Sequence, residues 1–321
     1  MFDPTSPLTF ESSIIRVRLD KTKANPGFYF DYFRSPIGRS RIRAIVSGAT
    51  VKGIRGSDLR LIKVHVPPLN EQIAIRAVVT AYDDLIATNQ RRIQLLDDAA
   101  RHLYREWFVH LRYPGHELVT VKDGLPNGWA KMQLGELAHV VMGQSPESKF
   151  YNSDGDGLPF HQGVSDFGDR FVVNTTFTTQ SPRIAEADDI LCSVRAPVGR
   201  LNITSEKIAI GRGLSAMRSN MNMQSLLFYQ LKALFTEEDM IGGGAIFASV
   251  CKKELLSQEL VQPDSLTAIE FNRIANENDR QIETLAMQNR SLAKIRDLIL
   301  HKLMSGQLDV SGITLPDEVV T

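Results

Sequence analysis

The sequence predicts an α+β fold in which β-rich domains are separated by two long antiparallel coiled-coil helices. One pattern occurs twice at an offset of 196 residues, in residues 47–108 and again in residues 243–304. In each copy the apolar residues step by four and three, which is the spacing of a helical seam. A chain ordered as domain, helix, domain, helix presents two similar units. The nine identical positions are Gly48/Gly244, Ala49/Ala245, Leu59/Leu255, Pro67/Pro263, Ile73/Ile269, Asp83/Asp279, Ile86/Ile282, Thr88/Thr284 and Leu96/Leu292.

The two predicted helices are matched in length and in heptad register. The first seam runs from Ile75 to Trp107 and the second from Phe271 to Leu303. A seam this narrow suits one antiparallel partner helix better than a globular core. Each seam also carries an asparagine, which costs stability there but fixes the register. The alternative is two unrelated amphipathic helices, each packed on its own domain. The seam positions that we expect to meet are Ile86, Asn89, Ile93, Leu96, Ile282, Leu285, Asn289 and Leu292.

Composition limits the class of protein. The 321 residues are 43% hydrophobic, which is enough for two compact units with connectors. Cys192 and Cys251 are the only cysteines, and no signal-peptide pattern follows Met1. No apolar run approaches the ~18 residues that a membrane span needs. We therefore expect a cytoplasmic protein that has no disulfide scaffold, zinc site, cofactor or membrane anchor.

Charge is distributed unevenly, although the formal net charge is zero. Residues 1–66 carry 12 Lys and Arg against 5 Asp and Glu, a net of +7. Residues 125–262 carry 12 against 15, a net of −3. The basic segment suits a polyanionic partner, and the alternative is a solvated basic face.

Patterning and punctuation divide the chain into six parts. Residues 13–19 and 61–66 are predicted strands, Pro67 and Pro68 end the second of them, and Asn70 is the candidate N-cap of the first long helix. Short apolar runs broken by Gly, Pro, Asn and Asp later predict a β-rich domain. The predicted parts are a partial first domain (1–66), a first helix (67–112), a linker (113–124), a complete second domain (125–262), a second helix (263–306) and a tail (307–321).

Short motifs occur in a fixed order around the two helices. They are residues 48–51 (GATV), 67–72 (PPLNEQ), 125–129 (LPNGW), 134–137 (LGEL), 143–146 (GQSP) and 189–199 (DILCSVRAPVG). In this order they resemble the target-recognition domains and helix entry of the DNA-specificity subunit of type I restriction–modification systems. The resemblance covers residues 13–306.

The resemblance implies a non-catalytic subunit that binds a bipartite sequence in double-stranded DNA. Such a subunit docks on modification (methyltransferase) subunits and, through them, on the restriction subunit. Helices of about 40 residues would span roughly 60 Å and separate the two half-sites. The alternative is a truncated remnant or scaffold that binds the modification subunit through its helices and reads no DNA. A self-contained enzyme is a third class.

The chain departs from the family pattern at its N-terminus. The family has two complete recognition domains, whereas the offset of 196 maps Met1 onto Pro197. The first domain is therefore expected to lack about half of its residues. Gene rearrangement, a misassigned start and a half that works with another polypeptide are the explanations that we consider.

Catalytic signatures are not recognisable in the sequence. Residues 242–244 (GGG) lack the Lys-Ser/Thr that completes a phosphate-binding loop, and neither an adenine-methylating motif nor a nuclease motif is found. Residues 211–213 (GRG) either cradle a phosphate or form a tight turn. Gln can bond adenine, Arg can bond guanine, and Ser and Lys hold phosphates. The candidate DNA-binding residues are Gln144, Ser145, Lys149, Tyr151, His161, Gln162, Arg195, Arg200, Arg212 and, in the basic segment, Arg41.

Overall fold

The computed structural model describes residues 14–48, 53–241 and 249–310. The chain forms two compact units. Unit 1 comprises residues 1–93 and 283–321, and unit 2 comprises residues 94–282. The division falls inside both long helices, so each unit contains part of each helix. The six predicted parts follow sequence punctuation instead and stay a prediction.

The helices of the described residues include two that are much longer than the rest. The α-helices are α1 (Pro26–Arg34), α2 (Pro36–Ala44), α3 (Gly56–Leu59), α4 (Leu69–Tyr104), α5 (Leu134–Leu137), α6 (Gln224–Ile241), α7 (Lys252–Leu256) and α8 (Ser265–Met304). A π-helical segment, Arg105–Val109, continues α4. Short 3-10 turns lie at His116–Leu118, Ser148–Phe150 and Val164–Asp166.

The strands that the structure describes all lie in unit 2. They are β1 (Val121–Lys122), β2 (Leu125–Pro126), β3 (Ala130–Gln133), β4 (Ala138–Met142), β5 (Tyr151–Asn152), β6 (Leu158–His161), β7 (Phe177–Thr178), β8 (Ile184–Ala185), β9 (Ile190–Ser193), β10 (Leu201–Ile203), β11 (Ile208–Ile210), β12 (Leu214–Ser219) and β13 (Glu259–Gln262). Most are short, as the frequent Gly, Pro, Asn and Asp residues predict.

Unit 1 is built around two short helices that pack against the ends of α4 and α8. The helices α1 and α2 approach so closely that a Cβ atom on Gly38 would lie 2.1 Å from the carbonyl oxygen of Tyr32. Asp31 is buried, and Arg76 Nη1 donates to its Oδ2 at 2.7 Å. Burial raises the pKa of Asp31, and the Arg76 contact opposes that shift. The core residues are Phe28, Tyr29, Tyr32, Ala74, Ile75, Val79, Leu300, Leu303, Met304 and Val310.

Three local predictions for unit 1 are wrong. Residues 14–19 and 61–66 form no strand, and α4 begins at Leu69, so Asn70 lies inside the helix instead of capping it. The carbonyl groups of the second segment accept hydrogen bonds from side chains, since Tyr29 Oη donates to His65 O at 3.4 Å and Arg41 donates to Lys63 O. An extended segment becomes a strand only when a neighbouring strand takes its backbone groups. Residues 49–51 of the motif at 48–51 lie outside the described residues, and so do residues 242–244.

The two long helices run antiparallel. In unit 1 Asn89 Nδ2 donates to Asn289 Oδ1 at 3.0 Å, and Arg296 Nη1 donates to Asp83 Oδ1 at 2.7 Å. In unit 2 the rings of Tyr104 and Phe271 lie 5.9 Å apart. Later residues of α4 therefore meet earlier residues of α8 in each unit. Of the predicted seam residues, Asn89, Ile282 and Leu285 are buried, and Ile86, Ile93, Leu96, Asn289 and Leu292 are half-buried.

Unit 2 contains two main sheets. One is antiparallel with the order β10-β9-β12-β4, and the other has the order β5-β7-β6-β11-β8 with a parallel β11–β6 pair. A third pairing joins β13 to β3, so the segment that enters this domain lies beside the segment that leaves it. The first sheet packs on α6, whose Leu227 and Leu231 are buried against Ile190 and Met217 in one core.

The ends of both long helices are part of the core of unit 2. Phe271 from α8 contacts Tyr104, Trp107 and Phe108, and Trp129 lies 5.5 Å from Phe108 between ring centroids. Trp129 Nε1 also donates to Asp264 Oδ2 at 3.0 Å. Helix and domain therefore share one apolar core, which makes this junction a packed contact instead of a flexible hinge.

Candidate nucleic-acid interface

Residues 211–213 form the centre of the site, in the turn that joins β11 to β12. The N–H of Gly211 donates to His161 O at 2.8 Å, and the N–H of Gly213 donates to Gln162 O at 3.1 Å. The end of β6 therefore lies against this turn. Glycine is required because a Cβ atom on Gly213 would lie 2.3 Å from the carbonyl oxygen of Gln162. The backbone of residues 211–213 forms a tight turn, which is one of the two predicted alternatives. The side chain of Arg212 on this turn is exposed.

A second segment reaches the same turn from the end of β4. The N–H groups of Gly143 and Gln144 donate to Leu214 O and Ile210 O, both at 2.9 Å. A Cβ atom on Gly143 would lie 2.1 Å from the carbonyl oxygen of Gly211, so only glycine allows this approach. Ser145 Oγ then accepts the N–H of Arg212 at 3.2 Å, which places its hydroxyl beneath the turn.

A third segment follows β9 and completes the site. The N–H of Val194 donates to Gly213 O at 2.9 Å. Ser193 Oγ donates to Pro197 O at 2.6 Å and accepts the N–H of Arg200 at 2.9 Å, which holds this loop together. A small cavity of about 140 Å³ lies beside the turn, between the segments that follow β6 and β9, and Gln162, Ser193, Arg195 and Arg212 are among its lining residues.

The structure brings together most of the candidates that the sequence predicts in unit 2. The side chains of Gln144, Lys149, Gln162, Arg195, Arg200 and Arg212 are exposed, and those of Ser145 and Tyr151 are half-buried. Lys149 pairs with Glu147 at 2.7 Å. Tyr151 Oη donates to Pro146 O at 2.9 Å, and its ring lies 4.7 Å from that of Phe160. Ser193 lines the cavity but was missed as a candidate, although it lies within the 189–199 motif.

Two candidates are placed differently from the rest. His161 is fully buried, with Nε2 2.9 Å from Asn174 Oδ1 and Nδ1 3.5 Å from Asp166 Oδ2. It supports the loop from beneath and presents no side-chain atom to solvent. Arg41 belongs to unit 1, where it is exposed on α2 and donates to the carbonyl of Lys63.

The side chains of this surface are of types that can contact nucleic acid. Arg and Gln side chains offer the hydrogen-bond donors and acceptors that match base edges, and Ser and Lys suit phosphate oxygens. Across residues 14–48, 53–241 and 249–310, no cluster of three His, Cys, Asp or Glu residues is arranged to hold a metal ion. Within the same residues no helix is both long and apolar enough to span a membrane.

Comparison with known proteins decides the family. The model of the type I restriction modification DNA specificity domain matches residues 2–97 and 126–265, more than half of the chain. The chain belongs to this family. DNA target recognition is the role of the family, and the predicted resemblance is thereby confirmed.

Relatives of this type I specificity chain agree with the assignment. A specificity subunit of Methanocaldococcus jannaschii, assigned to the type I restriction enzyme MjaX, is 29% identical over 305 residues, or 93% of this chain and 72% of the relative. The MjaIX specificity subunit of the same organism is 21% identical over 301 residues, or 89% of this chain and 70% of the relative.

A solved structure also supports the fold. The S subunit of a type I restriction-modification system from M. genitalium has a TM-score of 0.57 at 20% identity, covering 89% of this chain and 74% of that chain. At this identity the likeness concerns the fold alone. The predicted α+β class with long helices is therefore confirmed.

Proposed function

We propose that this specificity chain reads the base sequence of duplex DNA with the unit 2 surface around residues 211–213. The observation that carries the proposal is the meeting of three loop segments at that turn. It gathers Gln162, Arg195 and Arg212 around one small cavity and places Gln144 on the adjoining segment that follows β4. These residue types make bidentate contacts to adenine and guanine in the major groove.

Rigidity of the backbone supports a reading role. Each of the three segments is fixed to the turn by main-chain hydrogen bonds, so the side chains project from defined positions. Discrimination between bases needs such fixed positions, because a wrong base must meet an unpaired donor or acceptor. Phosphate contacts tolerate more movement and carry no sequence information.

Unit 1 has a different proposed share of the interaction. Residues 1–66 carry the net charge of +7 and would supply salt-dependent attraction to phosphates, with Arg41 as one contact. We also propose that these residues form the closing part of a first recognition domain. Unit 2 would then supply most of the sequence discrimination.

The assembly that uses this chain is also part of the proposal. We infer that the chain joins methyltransferase subunits and, through them, a restriction subunit, and directs both to a bipartite site in the cytoplasm. Membership of the type I restriction modification DNA specificity family supports this assembled role. The chain itself would then neither methylate nor cleave DNA.

Selection of DNA followed by substitution tests the reading surface. Duplexes are selected from a random library with the full chain and its modification subunit, and affinities are measured for the selected duplex and for single mismatches. We expect Gln144→Ala or Arg212→Ala to reduce discrimination at one base pair by about 5- to 100-fold. Lys131→Ala is the matched control, since Lys131 is equally exposed but lies on β3 and pairs with Glu259 at 3.7 Å.

The same measurements separate the two units. Arg41→Ala should weaken binding to all duplexes alike and reduce the dependence of log affinity on log salt by about 1. If Arg41→Ala lowers discrimination and Gln144→Ala does not, the reading surface lies in unit 1. If no sequence is selected although the modification subunit binds, the chain is a scaffold. Methylation by the chain with S-adenosylmethionine alone would contradict the non-catalytic role.

A further inference from the structure

A buried arginine connects the reading surface of unit 2 to both long helices. Arg170 lies in the loop of residues 162–176, between β6 and β7, and its side chain is 7% exposed. The loop begins at Gln162, which lines the small cavity of the proposed interface. An arginine at such a depth requires partners that compensate for its lost hydration.

The partners of Arg170 come from three different helices. Nη1 donates to Asp97 Oδ1 on α4 at 2.9 Å, and Nη2 donates to Asp279 Oδ1 on α8. The guanidinium carbon lies 3.8 Å from the ring centroid of Phe228 on α6. One planar group therefore binds a carboxylate from each long helix while it stacks on the helix of the recognition domain.

Neighbouring side chains extend the network around Arg170, although its buried Nε has no hydrogen-bond partner among the described residues. Tyr229 Oη donates to Asp279 Oδ1 at 3.1 Å, and Lys232 Nζ donates to both oxygens of Asp97 at 2.7 and 2.8 Å. Burial disfavours the charged form of Arg170, but the two aspartates and Tyr229 raise its pKa, so it stays charged. Burial lowers the pKa of Lys232 against the effect of Asp97. Charged hydrogen bonds of this kind fix direction as well as distance.

The backbone of the same loop is tied to the strands that carry the interface. The N–H of Ile203 donates to Arg170 O at 2.9 Å, and Asn202 Nδ2 donates to Gly168 O at 2.8 Å. Both donors lie on β10, which pairs with β9, and β9 ends at Ser193 in the wall of the cavity. A continuous path of hydrogen bonds therefore joins the helices, the loop and the reading surface.

We propose that Arg170 is a positioning residue that sets the orientation of the reading surface relative to α4 and α8, and so determines sequence discrimination without touching DNA. This inference rests on the proposed function. Burial of apolar side chains at this junction depends on area and does not by itself fix the orientation of the domain relative to the helices. The hydrogen bonds from Arg170 to two carboxylates have a defined geometry and fix that orientation.

The test compares two kinds of Arg170 substitution in the full chain bound to its modification subunit. Arg170→Gln removes the charge and leaves Asp97 and Asp279 without their shared partner. We expect it to lower the affinity ratio between selected and mismatched duplexes by about tenfold or more, with an unchanged salt dependence. Hydrogen exchange in residues 162–176 should rise in the absence of DNA.

A neutral replacement separates positioning from stability. In the triple variant Arg170→Met, Asp97→Asn and Asp279→Asn the buried charges are gone, which often preserves or raises stability. We expect this variant to fold as stably as the parent and still lose discrimination. Arg218→Gln is the matched control. Arg218 lies on β12, and its Nε donates to Asp189 Oδ1 at 2.7 Å, so this ion pair involves neither long helix. It should leave the affinity ratio unchanged.

The outcomes distinguish this inference from the proposed function. A parent chain that selects no DNA sequence overturns the proposed function and, with it, the role of Arg170 in reading. A parent that discriminates, together with a stable triple variant that discriminates equally well, overturns the inference alone. Should Arg170→Gln fail to fold, the triple variant still decides between the two results.

Discussion

Two aspartates at equivalent positions of the repeat, Asp83 and Asp279, bind different arginines in the two units. In unit 2 Asp279 accepts a hydrogen bond from Arg170, which belongs to the recognition domain. In unit 1 Asp83 accepts one at 2.7 Å from Arg296 of the other long helix, and its Oδ2 lies 3.6 Å from Arg34 Nη1 on α1. The same repeated position therefore binds an arginine of the loop between β6 and β7 in unit 2, whereas in unit 1 it binds an arginine of the other long helix together with Arg34 of α1. The heptad pattern specifies the helices, and the surrounding segments decide what their polar positions bind.

A second pair of positions 196 residues apart differs in burial. Leu226 in α6 is buried in the core of unit 2, whereas its counterpart Phe30 in α1 is 57% exposed. Phe30 lines an open cleft of about 930 Å³ together with Phe33 and Arg34. The position that is buried in unit 2 is therefore exposed in unit 1, and less apolar burial means less stabilisation.

This contrast predicts that the two units unfold in a fixed order. We expect backbone amides of unit 1 to lose protection from hydrogen exchange at lower denaturant than those of unit 2, because fewer apolar contacts must be broken. Mass spectrometry of the exchanging chain measures both units in one sample. Equal protection would mean that the exposure of Phe30 on α1 does not weaken unit 1.

The largest effect of a single substitution is expected at position 271. Phe271→Ala should lower the free energy of unfolding of unit 2 by about 3–5 kcal/mol, because the ring contacts four aromatic residues in a fully buried site. Its repeat counterpart Ile75 is also buried, and Ile75→Ala should cost unit 1 about 2–5 kcal/mol. Hydrogen exchange after each substitution locates the loss. A loss from Phe271→Ala that appears in unit 1 alone would contradict the assignment of this core to unit 2.

The sequence predicts the helices better than the polar network. The sequence predicts the second helix at 263–306 with Gly306 as the signal for its end, and the structure has Ser265–Met304. Residues 14–19 and 61–66 have a strand pattern without becoming strands, because pairing depends on partners elsewhere. The contacts of Arg170 join residues 73 and 109 positions apart, and no local pattern signals them. The burial of His161 likewise depends on Asn174 in a later part of the loop.

A smaller effect is expected at the asparagine pair in the unit 1 seam. Asn89→Leu removes the donor of the 3.0 Å hydrogen bond to Asn289, so that Asn289 Oδ1 loses this partner. The free energy of unfolding should fall by about 1–3 kcal/mol. The double variant Asn89→Leu and Asn289→Leu should recover most of it, since both polar groups are gone. Chemical denaturation of the four variants of this cycle gives the coupling, and additive losses would show that the two amides do not interact.

The smallest effect distinguishes a charged helix cap in unit 2 from a neutral one in unit 1. Asp264 Oδ1 accepts the N–H groups of Leu266 and Thr267 at 3.0 and 3.1 Å at the start of α8. Asn25 Oδ1 accepts the N–H of Phe28 at 3.1 Å at the start of α1. Burial acts to raise the pKa of Asp264, but hydrogen bonds from Thr267, Trp129 and Leu266 outweigh it and lower the pKa.

The lowered pKa fixes the sign of the pH dependence. Because the folded state holds the Asp264 proton less tightly than the unfolded state, its stabilising contribution is present above the unfolded pKa of about 4. It is lost as the pH falls through the folded pKa. Asp264→Asn should therefore cost unit 2 about 0.3–1 kcal/mol at pH 7, through loss of the charge at the helix N-terminus, and less as the pH is lowered. Asn25→Ala should cost unit 1 about 1 kcal/mol at both pH 7 and low pH, because an amide does not titrate. Denaturation of both variants at the two pH values checks this, and a cost of Asp264→Asn that stays constant on acidification would show that the cap acts through its shape alone.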